Sequence, residues 1–431
     1  MIAIKEISVK KLGITFFFAC LVIFGIYKFD IFFDKNKTHI NKVLTCASQA
    51  RPTPSGVKQA SKQDYIKSIE NLLVDYTIDN DIKKTVKNFL QKTIKETVNV
   101  SNIYDHSGSA GFSGDLIFFI KDNLEKPILV VKFFRKPFDL GGNFIKELAG
   151  YQVTSKMNTK NLQLVSAKAI GKCNVSGQDY GLLALSFASG SNMKDLMFKT
   201  LSMSKDSHER AVLIPIIQKA FEKLGTGISE FHQAHIEKKA YLYPAIIETA
   251  RSDFDFVIKQ FAKRNSNLNI QKIRSYFEDL VKRIKKVKIT RNIIHGDAHL
   301  GNFMYAKDTK ALSMLDFDSL CSLVDQTGTP LWSASFDFMY ILESLVTFKK
   351  RGLTEKEFTT FKKAFIKGYG NTPTEVKQEF FCFMSRLKTM LWLLDAEKNF
   401  PEMFKNNKLN IVLESCLTDL QNPKGLLKDF I

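Results

Sequence analysis

No two of the six cysteines (Cys20, Cys46, Cys173, Cys321, Cys382 and Cys416) are spaced Cys-x-x-Cys, and they are scattered along the chain. That excludes a disulfide framework and a structural zinc site, and it fits a reducing compartment for the globular part. Internal repeats and low-complexity tracts are missing too, which removes solenoid arrays from consideration. Acidic residues are in deficit: 44 Asp and Glu stand against 63 Lys and Arg, a net charge of +19. Such a balance favours anionic partners such as nucleotides, phospholipid surfaces, phosphorylated substrates or nucleic acid. Drift toward Lys, Ile, Phe and Asn contributes to the excess, so charge alone names no partner. At 45% hydrophobic and 25% charged the composition is that of a folded protein, and 431 residues suffice for two lobes with appendages.

One long uncharged run is present. Leu12 to Tyr27 is sixteen residues of mainly Phe, Ile, Leu and Val, followed by Lys28, Asp30 and Ile31-Phe32-Phe33. Counted through Phe33 it is long enough to span a bilayer as an N-terminal hydrophobic helix, with Lys28 snorkelling to the headgroups. A retained single anchor is the first reading. A cleaved signal peptide is the second, because Lys5, Lys10 and Lys11 form a positive n-region. Lysines at both ends leave topology undecided. Since ATP is cytosolic, a nucleotide-using enzyme would have its bulk in the cytoplasm, whereas signal cleavage would make it secreted.

The chain divides by pattern into the anchor at 1–33, a polar linker at 34–60, a helical extension at 61–97, a first lobe at 98–189 and a helical lobe at 190–431. Apolar residues at three- and four-residue steps predict helices near 62–76 and 80–97. The period then changes. Strands are expected at Val98–Tyr104, Leu116–Lys121, Ile128–Phe134, Leu162–Ile170 and Tyr180–Phe187, with one helix at Phe144–Met157. Beyond Ser189 helices are expected near 207–236, 245–264, 270–287, 334–349, 355–368, 376–398 and 408–421, around a stretch of strands and loops at 290–318.

That stretch carries the chemistry. It reads His295-Gly296-Asp297-Ala298-His299-Leu300-Gly301-Asn302 and then Leu315-Asp316-Phe317-Asp318. Metal-assisted phosphoryl transfer needs a carboxylate to receive or orient the acceptor's proton, and an amide oxygen and a second carboxylate to hold Mg²⁺ on the phosphates. Asp297 and Asn302 have the Asp-to-Asn spacing of a kinase catalytic loop, and Asp316 ends an apolar run. Asp318 reads as an additional metal contact or a surface carboxylate. His295 and His299 would suit Zn²⁺, but no further Cys or His follows to complete a site, so they are read as bracing the loop. Asp337 starts an apolar helix, either as an N-terminal helix charge or as a support for the loop backbone.

Upstream, Lys132 interrupts the apolar run Ile128–Phe134, where a lysine is costly unless it meets an anion. A nucleotide phosphate and Glu147, on the same helical face as Phe144, Leu148 and Tyr151, are the two candidates. The stretch from Ser107 to Gly114, with Gly108, Ser109 and Gly111, allows close approach to a triphosphate or is simply a hairpin loop. It is not a Walker A sequence, because no Gly-Lys-Ser/Thr follows. Ser186, Phe187 and Ala188 end a buried strand where a hinge would meet adenine. The basic run from Lys282 to Lys288 is an ordinary solvated face or one turned to an anionic acceptor or membrane.

These residues resemble the aminoglycoside phosphotransferase and choline kinase superfamily, whose fold is protein-kinase-like, over about 98–420. The resemblance implies an α+β, two-lobed fold: a small, mostly antiparallel sheet with one helix, then a larger, mainly helical lobe. It implies ATP and Mg²⁺ as cofactors, Asp297 as catalytic base, and Asn302 and Asp316 as magnesium ligands. It also implies Lys132 on the phosphates, Glu147 positioning that lysine, Ser186 to Ala188 as hinge and Asp337 supporting the loop. The N-terminal segment and the helices at 62–97 are additions to the family pattern. The expected activity is γ-phosphate transfer to a hydroxyl of a small molecule, such as a choline- or ethanolamine-like headgroup or a sugar. The positive balance favours an anionic or zwitterionic acceptor, near a membrane, over a polycationic one; nucleic acid is not the expected partner. Two other readings stand beside it, a membrane-tethered inactive binding module and a protein-modifying enzyme. All four of Lys132, Asp297, Asn302 and Asp316 are present, which favours chemistry.

Overall fold

The structure is a computed structural model that describes residues 75–76, 82–94, 103–105, 116–135, 143–155, 157–175, 177–234, 236, 240–242, 244–264, 268–320, 332–370, 372–373, 375–399, 401–406 and 409–421. The N-terminal apolar run, the linker at 34–60, most of the expected helix at 62–76 and the stretch with Gly108, Ser109 and Gly111 lie outside these residues. Among the described residues no helix is long and apolar enough to cross a membrane. Two compact units emerge. The first takes the described residues up to Met157, Leu164–Ala188 and Asp316 to Leu320, and the second takes Asn158–Gln163, Ser189–Leu315 and 332 onward.

The first unit is built on a six-stranded sheet of β1 (Asp75–Tyr76), β2 (Ile103–Asp105), β3 (Leu116–Lys121), β4 (Pro127–Arg135), β6 (Ala167–Val175) and β7 (Gln178–Ser186), in the order β1-β6-β7-β4-β3-β2. The two-residue β5 (Gln163–Leu164) precedes β6 in the chain. Every pairing is antiparallel except β1 on β6, where Asp75 and Tyr76 align with Lys172 and Cys173. The helix expected near 62–76 is therefore corrected at its last two residues, whose backbone instead satisfies the open edge of β6. The strand expected over Leu162–Ile170 is also broken. Ser166 N donates to Ser186 Oγ at 3.0 Å and Ser186 N to Ser166 O at 2.9 Å, and the ladder slips between Ala167 and Ala169.

Strand alternation sorts the side chains of β3 and β4. Phe118, Ile120, Leu129, Val131 and Phe133 gather with Val86, Phe89 and Leu90 of α1 (Ile82–Ile94) in one buried cluster. The helical extension thus closes one face of the sheet. Lys132 and Phe134, at alternate positions of β4, lie toward α2 (Asn143–Thr154), where Phe134 meets Phe144 at 5.6 Å between ring centroids. Gly150 of α2 is required by proximity: a Cβ there would lie 2.0 Å from the Phe317 carbonyl oxygen. The absence of a side chain lets the Asp316-Phe317-Asp318 segment pass against α2, and Phe317 packs edge-on to Tyr151 at 5.3 Å.

The second unit is mainly helical. It contains β8 (Ser191–Asn192), α3 (Met193–Ser202), α4 (His208–Gln233), β9 (Ala240–Tyr241), α5 (Pro244–Arg264), α6 (Ile270–Ile284), β10 (Lys288–Ile289), a 3-10 turn at Leu300–Asn302, and the hairpin of β11 (Phe303–Ala306) and β12 (Ala311–Met314). The helices α7 (Ser335–Lys350), α8 (Glu355–Tyr369), α9 (Glu375–Asn399), α10 (Pro401–Asn406) and α11 (Leu409–Gln421) follow. The pattern did not announce α3. Its start is set by Asn192, whose side chain accepts from Lys194 N at 2.9 Å, and it buries Met193, Met197 and Thr200. Stacked rings join α5, α6 and α9, with Phe254 4.4 Å from Phe277 and Phe277 5.4 Å from Phe383. Arg210 grips Glu357 by two bonds of 2.7 Å, tying α4 to the capping box that opens α8. On the basic run, Lys282, Lys285, Lys286 and Lys288 are exposed, while Arg283 is held by Asp279 and Glu379.

The hairpin is what positions the site. Phe303 pairs with Met314, so the strand after Asn302 returns antiparallel and ends directly before Leu315 and Asp316.

Candidate active site

In the first unit Lys132 and Glu147 meet. Lys132 Nζ donates to Glu147 Oε1 at 2.7 Å, and Tyr151, one turn further along α2, donates its hydroxyl to the same oxygen at 3.0 Å. Asp316 Oδ1 lies 3.9 Å from the same ammonium. Burial alone would lower the pKa of Lys132, but Glu147, Asp316 and Asp318 outweigh it and raise it. Burial pushes the Glu147 carboxyl up to about 7, and Asp316 and Asp318 push the same way against the pull of Lys132. Three carboxylates thus face one ammonium. Asp316 also takes a left-handed backbone, φ 61°, which a non-glycine residue adopts at a cost.

This surplus of hard oxygen suits a divalent cation. Among the described residues no group of three or more His, Cys, Asp or Glu side chains is gathered to hold a metal unaided. A magnesium ion fits that pattern, because it binds through one or two carboxylates and takes its remaining ligands from phosphates and water.

In the second unit the loop from His295 to Asn302 is fixed mostly by side chains that bond its backbone. Asp337, fully buried at the start of α7, accepts from His295 N at 2.6 Å and from Gly296 N at 2.9 Å. It also takes His232 Nε2 at 3.1 Å, while His232 Nδ1 meets the Tyr369 hydroxyl at 3.0 Å. Burial would raise the Asp337 pKa, yet His232, His295 and the Gly296 amide bring it below the ordinary carboxylate value. Asp337 occupies both places expected of it, in the first turn of α7 and under two amides of the loop. Gly296 supplies the positive φ of 79° that turns the chain between these bonds and Asp297.

Two histidines brace the loop from inside. His295 Nε2 reaches Leu315 O at 2.7 Å, which places the proton there and leaves Nδ1 to accept from Asp297 N at 3.2 Å. His299 Nδ1 accepts from Gly301 N at 3.0 Å, and its Nε2 lies 3.5 Å from Asp297 Oδ2. With Nδ1 accepting, the ring proton belongs to Nε2, the nitrogen that faces Asp297. Asn302 Nδ2 donates to Asp297 O at 2.9 Å, and Asn302 O accepts from Leu315 N at 2.9 Å. Asn302 is therefore bonded to Asp297 on one side and to the residue directly before Asp316 on the other.

Three residues absent from the sequence expectation complete this half. Lys388 of α9 lies 2.8 Å from Asp297 Oδ1 and donates to Gly296 O at 2.5 Å. Burial raises the pKa of Tyr340, and the nearby Asp297 and Glu343 carboxylates add to the rise. His232 is buried as a core histidine would be, with its Nε2 on Asp337. Burial would raise the pKa of Asp297, whereas Lys388, His299 and His295 hold it well below the usual carboxylate range. Asp253 of α5 is pushed up to about 6 by burial, with Lys388 opposing.

Of the three expected hinge residues, Ser186 ends β7, while Phe187, whose ring lies 5.9 Å from that of Phe119, and the buried Ala188 follow the strand.

No protein-family model matches this sequence, and no curated protein matches it. Among solved structures, the chain is similar in fold to the GDP complex of wild-type aminoglycoside 2'-phosphotransferase-IIIa, at 13% identity over 79% of this chain and 99% of that one, with a TM-score of 0.46. It is similar to spectinomycin phosphotransferase in complex with ADP and spectinomycin, at 12% identity over 80% of this chain and 98% of that one, with a TM-score of 0.48. It is also similar to a Plasmodium vivax ethanolamine kinase, at 12% identity over 85% of this chain and 97% of that one, with a TM-score of 0.46.

Proposed function

We propose that this chain is an ATP- and Mg²⁺-dependent phosphotransferase that moves the γ-phosphate to a hydroxyl of a small molecule. The observation that carries the reading is Lys132, held at 2.7 Å by Glu147 with Asp316 at 3.9 Å. An ammonium so placed, with carboxylates to spare, suits a phosphate chain and its divalent cation together.

In this reading Lys132 binds the nucleotide phosphates and Glu147 fixes its direction. Asn302, Asp316 and Asp318 would hold the magnesium ion, which when bound offsets charge on the phosphates. Asp297 accepts a hydrogen bond from the acceptor hydroxyl and orients its oxygen toward the γ-phosphorus. The new bond joins that oxygen to phosphorus, and the bond to the bridging oxygen of the departing diphosphate breaks. The proton passes to Asp297 late, in keeping with a carboxylate whose pKa is depressed and which acts more by orientation than by basicity. Asp337 and the two histidines keep the loop from moving during the transfer. The acceptor is a small-molecule alcohol, and the excess of positive charge on the chain favours an anionic or zwitterionic one.

The test is a panel of alcohols, including headgroup alcohols, sugars and aminoglycosides, incubated with the full chain, magnesium and γ-labelled ATP. Label on one acceptor, lost in Asp297→Asn, supports the reading. No label on any of them, or undiminished labelling by the variant, overturns it.

A further inference from the structure

We propose that Lys388 is a positioning residue for Asp297, supplied by a distant helix to hold the carboxylate in its working orientation and to balance its charge. The inference rests on the phosphotransferase reading above. Lys388 bridges two consecutive residues of the loop, at 2.8 Å from the Asp297 carboxylate and 2.5 Å from the Gly296 carbonyl oxygen. Its ammonium also sits 4.8 Å from the Tyr340 ring centroid and 6.0 Å from that of Phe336. Those rings restrict where the side chain can swing.

Stability alone is a poor reason for this arrangement. The lysine side chain is 32% exposed, and an ion pair so open to solvent contributes little, while ordering a long lysine side chain is costly in entropy. The loop backbone is already secured by Asp337, the histidines and Asn302. What those bonds leave loose is the Asp297 side chain itself. Lys388 is the group that fixes it, and with His299 at 3.5 Å a carboxylate with two oxygens keeps acceptor capacity for a hydroxyl.

A charge argument points the same way. Phosphoryl transfer brings a strongly anionic group toward an ionised aspartate, and like charges at close range raise the barrier. A lysine bonded to that aspartate offsets the repulsion without occupying the phosphate-binding lysine's place, which belongs to Lys132. Asp253 lies within electrostatic reach of Lys388 on the α5 side, so the ammonium has carboxylates on two elements.

The experiment compares the full-length wild type with Lys388→Met, Lys388→Arg, Lys388→Ala and Asp297→Asn, using the acceptor that takes label. Lys388→Met is expected to lower kcat at least about 30-fold with KM for ATP within roughly twofold, as for a group acting only in the transfer step. Lys388→Arg should recover most of the loss, and ethylammonium should restore part of the activity of Lys388→Ala. A retained magnesium–ATP thermal shift in Lys388→Met shows that the variant is folded and binds nucleotide. The inference fails if Lys388→Met keeps kcat within about threefold, or if kcat falls with no recovery by arginine or amine. If Asp297→Asn is inactive while Lys388→Met is not, only the lysine inference falls. If Asp297→Asn keeps wild-type activity, the functional reading falls and this inference with it.

Discussion

Asp316 and Asp297 are both aspartates beside a lysine, yet their surroundings are opposite in kind. Asp316 is 43% exposed, sits on a left-handed backbone and shares one ammonium with Glu147 and Asp318. Asp297 is 26% exposed and is met by Lys388 and His299. The first region carries more negative charge than its own cation balances, so it is incomplete without a ligand. The second is balanced by its own side chains and finished in advance. A group that binds a cation gains by being under-neutralised, whereas a group that must hold one orientation through a reaction gains by being pre-organised.

That contrast can be broken most sharply at the two aspartates. Asp297→Asn should lower phosphoryl transfer by about a thousandfold in a labelled-ATP assay. Its magnesium–ATP thermal shift should persist, because the region around Lys132 is untouched. Asp316→Asn should do the reverse at the binding step, weakening magnesium–ATP by roughly a hundredfold, or ~2.7 kcal/mol. Chelating the metal should remove the same thermal shift from the wild type and from Asp297→Asn. An intact shift in Asp316→Asn defeats its assignment as a metal ligand.

Gly150→Ala probes how the under-neutralised region is held. The added Cβ would fall 2.0 Å from the Phe317 carbonyl oxygen, so α2 or the Asp316 segment must move. We expect a loss of roughly 2 kcal/mol in denaturant unfolding, with weaker nucleotide binding. The smallest effect is expected on the finished side. Asp253 has a folded pKa of about 6, above that of an unfolded aspartate, so its favourable term is present at low pH and is lost as pH rises through 6. Asp253→Asn should therefore gain a few degrees relative to the wild type in thermal melts at pH 7.5, and less at pH 4.5. An equal difference at both values would show that burial does not raise this carboxyl.

Where local pattern sufficed, the sequence was readable. Lys132 stood out as the lone charge in an apolar strand, and period-two alternation turned it away from Val131 and Phe133 toward α2. Glu147 sat on the helical face that shares the buried Phe144, Leu148 and Tyr151. The long helices were announced by their apolar period, and α4 through α9 begin and end close to where it does. The two-residue strand β1 and the short helix α3 were not announced, because one depends on a neighbouring sheet edge and the other on a single asparagine cap.

The supports of Asp297 were the least readable part. Lys388 is 92 residues from Gly296, in a helix where a lysine ordinarily means a solvated face. His232 and Tyr340 looked like core residues and are buried as such, yet His232 bonds Asp337, the carboxylate under the loop, and Tyr340 lies within electrostatic reach of Asp297. Gly150 did leave a trace, since a glycine inside a helix is unfavourable without a close neighbour to justify it. Its neighbour, Phe317, was not identifiable from spacing.

What the amino-acid order determined by itself was every feature set by residues a few positions apart. These include the alternation of β4, the apolar face of α2 and the Asp-to-Asn spacing of the loop. What only the folded chain decided was which distant side chains close on those features: Glu147 and Asp316 on one lysine, Asp337 under two amides, Lys388 on Asp297. The reason is physical. Periodicity and spacing act through the backbone geometry of neighbouring residues, whereas an ion pair across helices is selected by packing over the whole unit and leaves no periodic mark.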